Sequence, residues 1–173
     1  VPANDGVWVV KPDDGAGCEG VRRVPDWQAA RRLLLEESSG LVAQPWVEGE
    51  PRSLSLLCAE GRARVLSVNQ QRVRSDNDTP VLEWLRVNAF PPCEEEAGLL
   101  AARLAAAVPG LWGCVGVDFI SSAGGPVVLE INPRLTTSFS ALRQATGVNA
   151  PAMVLGLVDP DRFDTDSTTQ HDV

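Results

Sequence analysis

Lysine is almost missing from this chain. Its 173 residues hold 15 Lys and Arg, and only Lys11 is a lysine. Tyrosine is absent, and the one histidine, His171, is followed by only two residues, Asp172 and Val173. The four cysteines, Cys18, Cys58, Cys93 and Cys114, show no C-x-x-C spacing. These absences argue against a structural zinc site and against a histidine-based catalytic triad. They read instead as reduced thiols of a cytoplasmic protein. No apolar run approaches the roughly 20 residues that span a bilayer, and no signal peptide is visible, so no membrane partner is expected. A net charge of −8 leaves no basic face for a phosphate backbone, which argues against nucleic acid. What remains, 44% hydrophobic and 22% charged residues, is ordinary for a globular domain, and the length suffices for one substantial core.

Two segments near the C-terminus are the most informative. Gly113-Cys114-Val115-Gly116-Val117-Asp118-Phe119-Ile120 and Val127-Val128-Leu129-Glu130-Ile131-Asn132-Pro133-Arg134 read as strands, separated by the turn-rich Ser-Ser-Ala-Gly-Gly-Pro. Side chains alternate across a strand, so Glu130 and Asn132 share one face while Leu129 and Ile131 point to the other. A hairpin pivoting near Gly124 sets Asp118 opposite Glu130. Two carboxylates and an amide oxygen then converge, with Arg134 just beyond. Hard oxygen ligands beside a guanidinium suit a magnesium-bound polyphosphate. The alternative is a solvated sheet face, but carboxylates inside apolar strands are costly without a partner.

A second feature lies near the N-terminus. The apolar run Val7-Trp8-Val9-Val10 ends in Lys11-Pro12, the glycine-rich Asp13 to Gly20 follows, and Val21-Arg22-Arg23-Val24 resumes a strand pattern. Glycine lets backbone N–H groups approach phosphate oxygens closely. In a chain otherwise using arginine, a lone lysine suggests a compact ammonium reaching phosphates. The lysine precedes the glycines, so this is not the GxxxxGK[ST] loop. Strand, loop, strand points to a flap, although an ordinary hairpin has the same outline. Cys18 in this loop is either a reactive thiol or a small loop filler.

Together these residues resemble the ATP-grasp superfamily, over Val7 to about Leu157. The matching motifs are Val9-Val10-Lys11-Pro12 with the flap, then Ala43-Gln44-Pro45-Trp46-Val47-Glu48-Gly49-Glu50, then Asp118 with Glu130-Ile131-Asn132. Glu-Ile-Asn-Pro-Arg-Leu-Thr-Thr-Ser, followed by Leu-Arg, is similar to the tyramine–glutamate ligase branch. The resemblance implies that Lys11 contacts the α/β-phosphates of ATP and that the backbone at Gly15, Gly17 and Gly20 closes over them. It implies that Gln44 and the backbone of Pro45, Trp46 and Val47 edge the adenine, and that Glu48 or Glu50 accepts a ribose hydrogen bond. Asp118, Glu130 and Asn132 would hold Mg²⁺, with Mn²⁺ as a substitute, and Arg134 would face the γ-phosphate or the acyl phosphate. Lys11 and Arg134 are then the catalytic cations. Pro45 departs from the family pattern and has no N–H to donate, which puts the adenine contacts in question.

The resemblance also implies a ligase with small-molecule carboxylate and amine substrates, with oligomerisation open. Alternatives are a non-catalytic nucleotide-binding or pseudo-ligase module, and a carboxylate kinase or carboxylase-type enzyme. Family members usually carry an N-terminal domain ahead of the lysine strand, so the chain is expected to be a fragment or a truncated gene product.

The expected fold is α+β, an ATP-grasp core of mixed, mostly antiparallel sheet with helices on one side. Residues 1–158 are expected to be one compact domain, and the aspartate-rich tail 159–173 disordered. Helices are predicted over Asp26–Glu37, Glu94–Ala107, Ser138–Ala145 and Pro151–Leu157. Strands are predicted over Leu41–Trp46, Ser53–Cys58 and Ala63–Asn69, turning at Glu60-Gly61. The polar stretch from Gln70 to Pro80 is predicted to be a loop whose arginines either meet a carboxylate substrate or stay solvated.

Overall fold

A computed structural model describes residues 6–15, 18–37, 40–76, 79–91 and 95–158. The tail after 158, with its expected disorder, lies outside them. The chain forms two compact units, one of residues up to Glu50 with 71–85, the other of Pro51–Gln70 with Arg86 onward.

In the first unit, β1 (Trp8–Pro12) lies between β2 (Arg22–Val24) and β3 (Leu41–Pro45), antiparallel to both. Alternation along β1 turns Trp8 and Val10 inward, where they bury against Ala30 of α1 (Trp27–Glu36). The Trp8 and Trp27 rings meet at 4.8 Å. Helix α1 starts where expected because the Asp26 carboxylate accepts the Ala29 N–H at 2.8 Å. Its end carries Glu37, whose charge opposes the helix dipole. Arg22 offsets this at 2.6 Å, a half-exposed pair of small net value.

The other sheet has strand order β6-β5-β4-β7-β8, with β4 Glu50–Ala59, β5 Arg62–Asp76, β6 Thr79–Phe90, β7 Gly113–Ser122 and β8 Gly125–Asn132. One face is apolar. Leu54, Leu56, Cys58, Val68, Val115, Val117 and Phe119 bury against Ala97, Leu100, Ala101 and Leu104 of α2 (Glu95–Ala107). On the opposite face, Leu57, Leu66 and Cys114 pack with residues of α3 (Ser138–Thr146) and α4 (Ala150–Val158). Helices therefore flank both faces of this sheet rather than one. Adjacent residues Leu56 and Leu57 point in opposite directions, so β4 is apolar on both sides at that end and needs two covers.

The predicted loop over Gln70–Pro80 is instead strand in its described residues, since β5 runs to Asp76 and β6 begins at Thr79. Neighbouring strands satisfy the backbone there, and Arg72 reaches Glu83 at 3.0 Å across them. Its side chains lack an apolar period because Arg72 and Arg74 stay in solvent. Cys58 and Cys114 are buried, free thiols. Burial pushes the Cys58 thiol up from its ordinary range, with the neighbouring Cys114 adding to it, and burial alone raises Cys114.

Leu54→Ala should lower the unfolding free energy in urea by about 2–5 kcal/mol. Leu35→Ala, at a side chain that is 69% exposed, should shift it by less than about 0.5 kcal/mol. The raised thiols also set a pH dependence. Their stabilising contribution is whole below the unfolded thiol pKa near 9.0. Above it the unfolded chain ionises first, so stability falls as pH rises. Unfolding titrations above that pH should decline less steeply for the Cys58→Ala/Cys114→Ala double variant than for the wild type.

Candidate functional site

The alternation that buries Trp8 and Val10 places Val9 and Lys11 on the other face of the three-stranded sheet. Register sets Val9 opposite Gln44 and Arg23, and Lys11 opposite Val42. Lys11 and Gln44 are thus diagonal neighbours on one face, with valines between them. Of the three flap glycines, Gly17 lies outside the described residues. Gly20 has φ +72°, and a Cβ there would stand 3.0 Å from the Pro12 ring, so a side chain is doubly disfavoured. A Cβ at Gly15 would make ordinary contacts at 3.5–3.6 Å, so only space for an approaching ligand would require glycine there. The start of the loop is tied down by the Asp13 N–H, which donates to the Gly40 carbonyl at 3.1 Å.

After β3 the chain commits several groups locally. Pro45 has no N–H, and the Trp46 N–H donates to the Val7 carbonyl at 2.8 Å. The Trp46 indole N–H donates to Glu48 Oε1 at 2.6 Å, and the Arg23 guanidinium stacks 4.5 Å from the Trp46 ring centroid. Glu48 keeps lone pairs for a further donor. Glu50 is half-buried at the start of β4. For an edge-on base, the Trp46 N–H is already committed, leaving carbonyl oxygens and the Val47 N–H.

In the second unit the β7–β8 register brings Asp118 opposite Glu130, Val117 opposite Ile131 and Gly116 opposite Asn132. Ser122 pairs with Gly125, so the turn consists of Ala123 and Gly124, and that turn alone would set Asp118 opposite Leu129. A bulge between Asp118 and Phe119 shifts the register by one and restores Glu130. Asn132 is buried and donates its amide N–H to Asp118 Oδ2 at 3.2 Å. Its Oδ1 accepts from the Arg134 guanidinium at 3.0 Å, and the Arg134 N–H donates to the Asn132 carbonyl at 2.8 Å.

These residues fit a magnesium ion in chemistry: two carboxylates and an amide oxygen form an all-oxygen donor set. Bonding the Asn132 amide N–H to Asp118 turns Oδ1 outward as an acceptor. That acceptor is shared with Arg134, so the guanidinium already supplies positive charge beside the carboxylates. Among the described residues no three His, Cys, Asp or Glu side chains gather in one place. The third ligand would therefore be an amide.

One set of polar residues is not singled out by the sequence motifs. Ser53, Ser55, Ser67 and Asn69 are all buried, as is Ser138 at the end of the Glu-Ile-Asn-Pro-Arg-Leu-Thr-Thr-Ser motif. The signal was available as serine and asparagine at alternate strand positions where apolar residues are expected.

The ATP-grasp domain family matches residues 2–138. The chain belongs to the ATP-grasp family. An ATP-grasp superfamily protein from Archaeoglobus fulgidus is similar in structure, with TM-score 0.61 and 31% identity, covering 88% of this chain and 45% of that one. The L-amino acid ligase from Bacillus licheniformis shares the ATP-grasp fold, with TM-score 0.63 and 22% identity over 90% of this chain and 39% of that one. In sequence, the tyramine–L-glutamate ligase of Methanocaldococcus jannaschii is 31% identical over 110 residues, 64% of this chain and 33% of that protein. The acetyl-CoA carboxylase of Dictyostelium discoideum is 28% identical over 160 residues, 85% of this chain and 7% of that protein. The chain thus spans a third or less of the length of these two relatives. Its α+β architecture is that of the ATP-grasp fold.

Gly116 tests the packing beneath this ATP-grasp hairpin, because a Cβ there would stand 2.5 Å from Thr136 Cγ2. Gly116→Ala should cost about 1–3 kcal/mol in a denaturant titration. Gly124→Ala, whose nearest neighbour would be Ser122 Oγ at 3.8 Å, should cost less than about 0.5 kcal/mol.

Proposed function

We propose that the protein serves an ATP- and Mg²⁺-dependent ligase that joins a carboxylate, by way of an acyl phosphate, to an amine, an amino acid such as glutamate being a candidate substrate. The observation that carries this is the juxtaposition of Asp118, Glu130, Asn132 and Arg134 on the β7–β8 hairpin. Residues 1–158 act as one ATP-binding core in this reading. Lys11 neutralises the α/β-phosphates, flap amides around Gly15, Gly17 and Gly20 cover them, and Arg134 meets the γ-phosphate. Gln44 and the backbone through Val47 contact the base, with Glu48 or Glu50 at the ribose. Asp118, Glu130 and Asn132 would hold Mg²⁺, which would supply charge neutralisation for the transferring phosphate.

A substrate carboxylate oxygen attacks the γ-phosphorus, the bond to the bridging oxygen breaks, and ADP leaves. A neutral amine then attacks the acyl carbon, the carbon–oxygen bond to phosphate breaks, and the amine proton is lost with phosphate. Arg134, held by its hydrogen bond to Asn132, is a preorganised positive charge. Lys11 brings a second on a flexible stem, and both oppose the charge that builds in transfer. The free thiols of Cys58 and Cys114 support a cytoplasmic setting. No described helix is long and apolar enough to cross a membrane.

Pro45 and the committed Trp46 N–H favour a second reading, a nucleotide-binding module without turnover. Likeness to the Dictyostelium carboxylase supports a third, in which bicarbonate is the carboxylate.

Calorimetric titration with a non-hydrolysable ATP analogue, with and without Mg²⁺, tests the site. Binding should depend on Mg²⁺ and weaken by about tenfold or more in Lys11→Ala and Glu130→Gln, the scale of one lost charge-assisted contact. Equal affinity in all three proteins would refute the assignment. In the complete enzyme Glu130→Gln should cut turnover about 10²-fold. ADP release that needs both carboxylate and amine selects the ligase, and release with bicarbonate alone selects the carboxylase.

A further inference from the structure

The buried polar patch of the second unit forms a connected chain. The Asn69 side-chain amide donates to Ser53 Oγ and Ser55 Oγ, each at 3.2 Å, and its Oδ1 accepts the Asn88 N–H at 3.1 Å. Those three contacts set the orientation of the amide. Ser55 Oγ lies 2.9 Å from Ser138 Oγ, which lies 3.0 Å from Thr136 Oγ1. Asn69 donates at one end. The alignment in which each serine hydroxyl both accepts and donates therefore runs from Ser55 through Ser138 to Thr136.

The chain ends on the link between Asn132 and α3, and Thr136 is held there in three ways. Its hydroxyl meets Ser138, its methyl fills the space left by Gly116, and its carbonyl accepts the Phe139 N–H at 3.0 Å. At the other end of the link, the backbone and guanidinium of Arg134 are both bonded to Asn132. Between them, Leu135 is 59% exposed and adds little.

Burial energy does not explain the patch. Ser53, Ser55, Ser67 and Asn69 occupy positions on a sheet face whose other positions, Leu57, Leu66 and Cys114, form apolar core. Ser67 Oγ and Asn88 Oδ1 are buried without a partner among the described residues, which opposes folding unless water fills the gap. A directional network does what an apolar patch cannot: it fixes one orientation of the segment it reaches.

We infer that Asn69, Ser55, Ser138 and Thr136 are positioning residues that hold the 133–137 link in one conformation and so aim Arg134 at the terminal phosphate of a nucleoside triphosphate. The inference rests on the reading of Arg134 given under Proposed function. Thr136→Val keeps the methyl over Gly116 and removes the hydroxyl, whereas Thr136→Ser does the reverse. Ser138→Ala breaks the chain one step earlier.

Two measurements decide the matter. The first uses native-state hydrogen exchange without ligand. The Arg134 and Phe139 amides should exchange about tenfold faster or more in Thr136→Val and Ser138→Ala, the scale of one lost hydrogen bond. Leu54 and Leu56 amides should be unchanged, and Thr136→Ser should match the wild type. The second compares Mg²⁺-dependent affinity for a non-hydrolysable ATP analogue with that for ADP. Thr136→Val should lose about tenfold in its preference for the triphosphate while holding ADP within about twofold, and Thr136→Ser should retain the preference. Unchanged exchange at Arg134 and Phe139, or equal acceleration throughout the unit, overturns the inference. So does an equal loss of both nucleotides. A wild type that binds neither nucleotide defeats the functional reading instead, and the exchange comparison then decides the pinning alone.

Discussion

The pairing of β7 with β8 is the constraint on which the site depends. It sets Asp118 opposite Glu130 and leaves Gly116, with no side chain, opposite Asn132. The space above Gly116 is taken by Thr136, whose methyl would stand 2.5 Å from a Cβ there, while the Asn132 side chain bonds Asp118 on one side and Arg134 on the other. Beneath the hairpin, the other faces of the same strands put Val115, Val117 and Phe119 into the α2 core. Core and site are therefore two sides of one sheet, and alternation divides the residues between them.

Alternation organises the first unit by the same logic. Trp8 and Val10 are buried against α1, and their neighbours Val9 and Lys11 are turned the other way, beside Gln44. A single lysine in an arginine-rich chain is consistent with a position where a compact, flexible cation is wanted. The segment after β3 has a different character. Arg23, Trp46 and Glu48 form a small stacked and hydrogen-bonded cluster that stiffens the backbone where the chain leaves the sheet.

Much of this was legible from residue order. Strand alternation placed Glu130 with Asn132, Asp26 announced the start of α1, and the apolar segments ending in Lys11 and Asn132 read as strands. The Asp118–Glu130 pair was expected from a pivot near Gly124. It arises from a turn at Ala123-Gly124 combined with a bulge, and the two half-steps add to the same register. Bulges are set by local hydrogen bonding, which residue order does not disclose. The extended ends of β5 and β6 were also hidden. Gln70, Gln71, Arg72 and Arg74 carry no apolar period because strand pairing there is a backbone matter. The buried serines of β4 and β5 were obscured in the same way, since a small hydroxyl residue looks alike whether it faces solvent or a hydrogen-bonded interior.

The bulge beside Phe119 has an evolutionary consequence. Every residue of β8 after it owes its facing to a sum of turn length and bulge. Inserting or deleting one residue in the 123–124 turn, with the bulge retained, would carry Leu129 or Ile131 to the place of Glu130 and turn the acid toward the α2 core. Descendants of this sequence can therefore vary that turn in steps of two, or in steps of one with a compensating gain or loss of the bulge. Length variation in an exposed loop, normally the most permissive kind of change, is here coupled to the charge of a half-buried site.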